Sequence, residues 1–382
     1  MRKLFSLAIF FSVMASVVTS IVSGQQGKFT SVEGPNIKAR MESALRQARS
    51  NSSQKQFWTA YAFDVRPGVA VDMNYDNFSG TTYNSGTSVM IGTRDGRTVE
   101  TRNLGVFLLR DADSDTITRV EVYNLDRPRE YGGVPVYWAG RANTQESLDL
   151  LKGLAESADK YKAAENATMA IGLHDSPLVP VALKDLIRNS KARKVRASAV
   201  FWLGQSSDEI PFLAGLAKNE EEDTDLRKEA VFSIGVSKAG ASFSTLQDLY
   251  GSLKNREVKK QVIFASSLED NKEDGVTFLI KVADSEADSQ LRKEAIFWLG
   301  QKAGERSLKA LSDTVNKDDT ETEVLKQAVF AISQRHRDES VPLLIKIART
   351  HSNPVVRKDA MFWLGQTGDE RAVQFFKEIL SK

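Results

Sequence analysis

Few side chains in this chain are of the types that metal binding or nucleophilic catalysis needs. There is no cysteine, and the histidines are His174, His336 and His351. Thiol chemistry and cysteine-ligated metal sites are therefore excluded. A zinc site needs several convergent nitrogen or carboxylate ligands, whereas these histidines stand apart in the sequence. The sequence therefore predicts no metal site at histidine.

Aspartates supply the other candidate chemistry. Asp111, Asp113 and Asp115 form a D-x-D-x-D run. Calcium loops begin with this spacing, because hard cations take clustered oxygen ligands. The rest of such a loop is missing, since Thr116 stands where it needs glycine and Val122 where it needs glutamate. A polar hairpin turn is the alternative, and we favour it.

A hydrolase would need a nucleophile, a base and an orienting group. No histidine precedes His174, and the chain has neither a G-x-S-x-G motif nor a phosphate-cradling glycine loop. Carboxylate pairs such as Asp72 and Asp76 could do acid–base work, although isolated acids in loops are usually just solvated. We therefore assign no catalytic, cofactor-binding or metal-ligating residue from the sequence.

The secondary structure around these residues can be predicted from a sequence motif that recurs seven times in the C-terminal half. We call this motif of about eleven residues the phrase. One copy is LRKEAIFWLGQ at 291–301, and the first, degenerate copy is AENATMAIGL at 164–173. The other copies begin at residues 195, 226, 258, 324 and 356. Phenylalanine, or Met169 in the first copy, holds one position of the phrase at intervals of 31 to 33 residues. A fixed period in this range indicates a solenoid of helix pairs.

Each copy of the phrase predicts the first helix of a pair. Val195, Ala199 and Leu203 fall on one helical face. The second helix follows a short polar turn, and PLLIKIA at 342–348 shows its apolar face. A single pair cannot bury both of its faces, so stacking supplies the core. We expect an all-α superhelical solenoid of about seven repeats over 145–382.

The phrase resembles HEAT repeats, in the short form found in bilin-lyase-like proteins. The resemblance rests on a VR-x-x-A-x-x-x-LG pattern at 195–204, 291–300 and 356–365. It covers about 145–382 and implies a scaffold that binds proteins along an extended helical face. A few proteins of this class are enzymes or chromophore attachment factors. The HEAT-like deoxyhypusine hydroxylases bind two irons through His-Glu pairs, and no histidine here is followed by glutamate.

Aromatic residues in the repeats are candidate partner contacts. Trp202, Trp298 and Trp363 share one position of the phrase, either as core residues or as a partly exposed row of indoles. The last predicted helix, AVQFFKEILSK at 372–382, lacks the polar capping repeat that solenoid ends normally need. We therefore predict that Phe375 or Phe376 contributes to self-association or to a partner contact.

A basic residue recurs near the start of the phrase. The members of this basic row are Arg196, Arg227, Lys259, Arg292, Lys326 and Arg357. They could pair with acids of adjacent turns, such as Asp208, Glu305 or Asp369, which is the structural interpretation. They could instead form a charged track for an acidic partner, and for this role we name Arg196, Arg227, Arg292 and Arg357.

A second basic segment runs from Lys184 to Arg196, with six basic residues and one acid. It could engage an anionic surface, or it could be a solvated helix end. Residues 220–225 are its acidic counterpart, and we interpret them as a loop that leads into a helix N-terminus.

Residues 1–24 have the features of a signal peptide. Arg2 and Lys3 are followed by an apolar run to Val22. Small residues precede a predicted cut after Gly24, or alternatively after Ser20 or Ser23. An uncleaved membrane anchor is the alternative. We therefore expect an exported protein, periplasmic or extracellular, without disulfides and without a stable membrane span after cleavage.

Residues 25–144 predict a small β-rich domain, and we recognise no family there. Residues 25–36 are expected to be flexible and 37–49 to form a short amphipathic helix. Strands are predicted at 56–63, 87–92, 98–110, 117–125 and 134–140.

The net charge of +2 gives no general argument for a nucleic-acid partner. Our leading hypothesis is therefore an exported, non-enzymatic scaffold that binds another protein through the solenoid. The alternative is an enzyme or lyase-type modification factor, with a site between the β-rich domain and the first repeats. Acids and histidines converging there would favour the enzyme, and exposed aromatics on the solenoid would favour binding.

Overall fold

The computed structural model describes residues 29–381 except 52, 54, 72–77, 85–87, 95–96, 99, 158–160, 206, 238–241, 269–271 and 318–320. The predicted signal peptide at 1–24 and the pair Asp72 and Asp76 lie outside the described residues and stay predictions. In the part of the chain that the structure describes, no helix is long and apolar enough to cross a membrane.

The described residues of the N-terminal region form two sheets and one helix, α1, which covers Ile37–Ser50. The strands are β1 Thr30–Ser31, β2 Gln56–Ala62, β3 Val69–Val71, β4 Phe78–Asn84, β5 Ser88–Arg94, β6 Arg97–Thr98, β7 Leu104–Asp111, β8 Ile117–Asn124 and β9 Val136–Arg141. One sheet has the order β1-β9-β2-β7-β8. The other has the order β3-β5-β4, with β6 also paired to β5.

The predicted helix and the five predicted strands of this region are confirmed as α1, β2, β5, β7, β8 and β9. The expectation of flexibility at 25–36 is wrong for its described part, since Thr30 and Ser31 pair in parallel with Tyr137 and Trp138. A strand of two residues has no sequence pattern of its own, because its place is set by the strand it joins. Strand β4 was also missed, since Ser79, Gly80 and Asn84 place turn-favouring residues among its β-favouring ones.

Fifteen helices follow within the described residues. They are α2 Thr144–Ser157, α3 Tyr161–Gly172, α4 Val179–Asn189, α5 Arg193–Leu203, α6 Ile210–Lys218, α7 Thr224–Val236, α8 Ser242–Ser252, α9 Arg256–Ser267, α10 Lys272–Ser285, α11 Ser289–Gln301, α12 Glu305–Val315, α13 Thr322–Ser333, α14 Arg337–Thr350, α15 Pro354–Gln366 and α16 Glu370–Leu380. The odd-numbered helices α3 to α15 carry the repeated phrase, and we call them the phrase helices. The predicted α-solenoid preceded by a small sheet region is confirmed.

The repeat unit begins one helix earlier than the sequence predicted. Each phrase helix packs more extensively against the helix before it than against the helix after it. The solenoid is therefore seven pairs, α2–α3 to α14–α15, followed by the single helix α16. The phrase was the stronger sequence signal and was taken as the start of the unit, whereas packing makes it the second half.

Consecutive phrase helices approach each other closely at the glycine of the phrase. A Cβ atom built at Gly172 would lie 2.7 Å from the Trp202 ring, and one at Gly300 would lie 2.9 Å from the Cβ of Ala331. Helices of the other layer contact their neighbours less extensively. The closer spacing on one side bends the array toward the phrase helices, which form its inner layer.

The sheet and the first helix pair share one hydrophobic core. Helix α3 packs along β8, and Asn166 Nδ2 donates to the Val120 carbonyl at 2.6 Å. The chain between β2 and β3 also bonds to the end of α3, since the Asp175 amide donates to the Asp64 carbonyl at 2.8 Å. The pair α2–α3 is therefore both the first repeat and the helical cover of the sheet.

We expect Gly300→Ala to lower the free energy of unfolding by about 1–2 kcal/mol, because the added methyl group overpacks α11 against α13. Gly365, at the same position of the last phrase, has nothing within 4 Å of a built Cβ. Gly365→Ala should therefore be neutral, or stabilising by up to about 0.5 kcal/mol. Urea unfolding followed by circular dichroism compares the two variants, and equal losses would contradict the close approach.

Candidate functional site

Five consecutive phrase helices, α7 to α15, turn aromatic side chains toward solvent. The partly exposed or exposed rings, which we call the aromatic strip, are Phe232, Phe264, Phe297, Trp298, Phe330, Phe362 and Trp363. Ring centroids are 6.2 Å apart for Phe232 and Phe264, and 4.9 Å apart for Phe264 and Trp298. Phe330 and Trp363 are 5.0 Å apart. The rings therefore contact one another from repeat to repeat in two groups, one on α7, α9 and α11 and the other on α13 and α15.

Helical periodicity explains why these rings share one surface. In α11 the partly exposed side chains at 293, 294, 297 and 298 form a single stripe along the helix. Trp298 Nε1 donates to Glu294 Oε1 at 2.8 Å, one turn earlier. The polar atom of the indole is thus satisfied within its own helix, which leaves the ring available for apolar contact.

The border of the aromatic strip is balanced in charge. Lys228, Lys260 and Lys326 occupy equivalent positions one turn before its phenylalanines. Each pairs with an acid three residues earlier in its own helix, at 3.4 Å for Lys228 and 3.1 Å for the other two. Partial burial raises the pKa of Glu229 and Asp359, which lie beside them. At these three positions the border therefore favours neither a strongly acidic nor a strongly basic partner.

The predicted indole row is only partly present. Trp298 and Trp363 lie in the aromatic strip, but Trp202 is fully buried. Its ring fills the space beside Gly172 on α3, so its prediction as a partner-binding residue is wrong. The phenylalanine one residue before the tryptophan position is the more regular contributor to the surface. Its recurrence was visible in the sequence, but which ring faces solvent was not.

The basic row serves the solenoid itself. Arg196 Nε donates to the Ile187 carbonyl at 2.6 Å, and Arg227 Nε donates to the Ala217 carbonyl at 2.9 Å. Arg357 Nη1 donates to the His351 carbonyl at 2.7 Å. These guanidinium groups bind carbonyls at the C-terminal end of the preceding helix, where a cation also complements the helix dipole.

Acids complete this arrangement between repeats. Arg196 pairs with Glu222, Lys259 with Glu286 at 3.6 Å and Arg292 with Glu321 at 3.1 Å. Arg227 is 3% exposed, so its prediction as part of a charged track is wrong. Arg196, Arg292 and Arg357 stay partly exposed, and a partner contact there remains a prediction.

The basic segment 184–196 is compensated by neighbouring acids. Lys184 pairs with Glu209 at 2.6 Å. Arg193 pairs with Asp223 and Asp225, both in the acidic segment 220–225. The two charged segments therefore bind each other, which favours the structural interpretation over an anionic ligand.

The last helix presents a different residue from those predicted. Phe375 is buried and its ring lies 5.1 Å from the Arg349 guanidinium, so the predicted contact there is wrong. It is buried because its side of α16 packs on the preceding pair. Phe376 is partly exposed and stays a prediction. Phe362 on α15 is 56% exposed and was not predicted.

The D-x-D-x-D run is a polar turn. Asp111 Oδ1 accepts from the amides of Asp113 and Ser114, and these bonds hold the pKa of Asp111 below its usual value. Asp115 instead binds the Arg110 guanidinium. Among the described residues, no group of three or more His, Asp or Glu side chains is placed to hold a metal ion.

One serine–histidine contact lies at the junction of the sheet and the first repeat. Ser147 Oγ lies 2.8 Å from His174 Nε2 and 3.0 Å from the Tyr61 hydroxyl. His174 Nδ1 donates to the Ala170 carbonyl at 2.7 Å, so Nε2 of the neutral ring accepts from Ser147. Such a pair can activate a nucleophile, but Ser147 is fully buried and His174 is 3% exposed. The chain of hydrogen bonds therefore joins the sheet to α2 and α3 rather than facing a substrate.

Comparison with known families supports the repeat class. Residues 315–382 match the family described as HEAT repeats. The N-terminal region matches no family. No curated protein matches the chain.

Solved structures with a similar chain path include human deoxyhypusine hydroxylase in complex with glycerol, at 17% identity, with 62% of this chain and 90% of that chain covered and a TM-score of 0.31. The Escherichia coli protein YibA is 18% identical, and the match covers 58% of this chain and 82% of that chain with a TM-score of 0.32. Legionella pneumophila aminopeptidase A in complex with aspartic acid is 12% identical, with 90% and 51% covered and a TM-score of 0.30. Likenesses this low do not establish a shared function.

Burial lowers the pKa of His174 to about 4, below the usual value of 6.5. Between these two pH values the unfolded chain binds a proton that the folded chain does not, so stability falls as the pH drops from 6.5 to 4. We expect a loss on the order of 3 kcal/mol from this group. The variant His174→Gln has no titrating group there, and its urea-unfolding profile against pH should lack this component. An identical slope in both proteins would disprove the assignment.

Proposed function

We propose that the protein is an exported, non-enzymatic scaffold that binds another protein along the aromatic strip. The observation that carries this proposal is a surface of exposed and partly exposed rings on five phrase helices, in which rings of neighbouring helices contact each other from Phe232 to Trp298 and again from Phe330 to Trp363. Aromatic side chains are the usual anchors of protein interfaces, and solenoids bind partners along extended surfaces. The signal peptide predicted at 1–24 supports export.

The chemistry of the strip favours a protein segment with an apolar face. Lys228, Lys260 and Lys326 are paired within their own helices, and the net charge of +2 gives no general argument for a polyanion such as nucleic acid. With helix axes about 8–10 Å apart, five phrase helices span roughly 40 Å. A helix of roughly 25 residues has this length.

Binding would require little change in the solenoid. The arginine bonds to helix ends join the two helices of a pair, and the paired acids of the next repeat hold neighbouring repeats in register. The partner would cover ring edges that are already in place, so little ordering accompanies association.

The alternative function, an enzyme or a lyase-type modification factor, would need reactive groups at the junction of the sheet and the first repeats. The Ser147–His174 pair lies there but is buried. We therefore do not propose catalysis at this pair.

The double variant Phe297→Ser and Phe362→Ser should reduce retention of the partner at least tenfold, because each ring is expected to contribute more than about 1 kcal/mol to binding. Immobilised mature chain, residues 25–382, is used to capture proteins from native envelope extract, with quantitative mass spectrometry as the readout. Thermal unfolding checks that the variant is folded.

The matched control is Leu178→Ser with Val181→Ser, which removes exposed apolar side chains from the N-cap and the first turn of α4 in the other layer. It should retain the partner as the unchanged protein does. A partner held equally by the strip variant would exclude the strip as its binding surface. If the unchanged chain retains no protein, the scaffold function itself fails.

A further inference from the structure

A cleft lies where the N-terminal region meets the first helix pair, remote in sequence from the aromatic strip. Helix α1, the turn between β7 and β8, and helix α2 form its walls, and its volume is about 460 Å³. Ile37, Met41, Ile117 and Leu150 supply apolar surface. Sites for small ligands typically have volumes of roughly 300–1,000 Å³, largely apolar walls and a place at the meeting of structural units. We call this site the junction cleft.

The polar residues of the junction cleft decide the charge of its ligand. Glu42, Glu146 and Asp149 line it with Lys38, in addition to the ion pair between Arg110 and Asp115. Carboxylates therefore outnumber cations at the lining. Asp149 is exposed and accepts from Gln145 Nε2 at 2.8 Å, and Glu42 is exposed. Both can turn toward a bound cation.

The buried arginine gives no anion site. Arg110 directs Nε and Nη2 to Asp115 and donates from Nη1 to the Met41 carbonyl at 3.0 Å. Its nitrogen atoms are thus already bonded within the protein, and Asp115 neutralises its charge. An anionic ligand would meet Glu42, Glu146 and Asp149 without a free guanidinium to offset them.

The walls of the junction cleft are held together before any ligand arrives. Glu146 Oε2 accepts from the Ile37 amide at 3.1 Å, which ties the first turn of α2 to the first turn of α1. The Arg110 bond to the Met41 carbonyl ties the β7 wall to α1. A ligand would therefore enter a preformed site rather than order one.

We propose that the junction cleft binds a small cationic amphiphile, that is, an ammonium or guanidinium group on a short alkyl chain. The alkyl chain packs on Met41, Ile117 and Leu150, and the cationic group lies near Glu42 and Asp149. The volume of the cleft limits the ligand to a small molecule, and the excess of carboxylates favours a ligand with a positive charge. This binding is independent of the scaffold function.

Hexylammonium chloride is the probe, titrated into the mature chain 25–382 by isothermal calorimetry at low ionic strength. We expect saturable binding of one molecule per chain with a Kd on the order of 1 mM, as befits seven heavy atoms. The double variant Glu42→Gln and Asp149→Asn should weaken it at least tenfold. Neither substitution removes the Glu146 bond to Ile37 or the Arg110 bond to Met41.

The matched control neutralises two exposed acids that do not line the cleft, Glu130→Gln and Glu156→Gln, and should bind as the unchanged protein does. Hexanoate, which has a similar chain and the opposite charge, should not bind. Equal binding of hexanoate, equal binding by the Glu42 and Asp149 variant, or no saturable heat with hexylammonium would each overturn the proposal. If the peptide acetyl-Leu-Lys-Leu-amide binds and hexylammonium does not, the ligand of the cleft is a protein segment and the proposed small molecule is wrong. Capture of the scaffold partner tests a different surface and does not bear on this result.

Discussion

The close approach of consecutive phrase helices is the contact on which the rest of the solenoid depends. Gly204, Gly235 and Gly300 leave no room for a side chain, because the next helix lies within 3 Å of where a Cβ would be. Dispersion and apolar burial are strongest at such short separations. Since the described helices of the other layer contact one another less extensively, the array bends toward the phrase helices and acquires an inner surface.

The aromatic strip follows from this packing. A ring that faces the solvent side of one phrase helix meets a ring of the next, as Phe264 meets Trp298. Full burial would need the rings to pack against the neighbouring phrase helix, as the Trp202 ring packs beside Gly172. The arginines bond to the end of the preceding helix, as Arg227 bonds to the Ala217 carbonyl. These bonds hold adjacent helices together and lie outside the aromatic strip. Structure and candidate binding surface therefore use different residues of the same phrase.

Hydrogen bonding of buried polar groups, rather than close helix packing, determines how the first helix pair joins the sheet. Tyr61, Ser147 and His174 are all buried, and each reaches a hydrogen-bond partner only because β2, α2 and the end of α3 meet. A buried hydroxyl or imidazole left without partners would cost stability, so this chain fixes how the first repeat sits on the sheet. The junction cleft lies beside it because α1 and α2 are tied together by Glu146 rather than by full packing.

The sequence by itself determined the solenoid, the helical faces and five of the strands, because period and alternation are local properties. It could not decide that the phrase is the second helix of each pair, that Thr30 and Ser31 join β9, or that Arg227 is buried. These outcomes depend on which surfaces meet, and surfaces from distant positions have no local signal. The candidate sites were hidden from the sequence for the same reason. The neighbouring helix determines whether the phenylalanine or the tryptophan of the phrase faces solvent. Only the tertiary structure placed α1, α2 and the β7–β8 turn around one cleft, because these elements are separated by up to about a hundred residues.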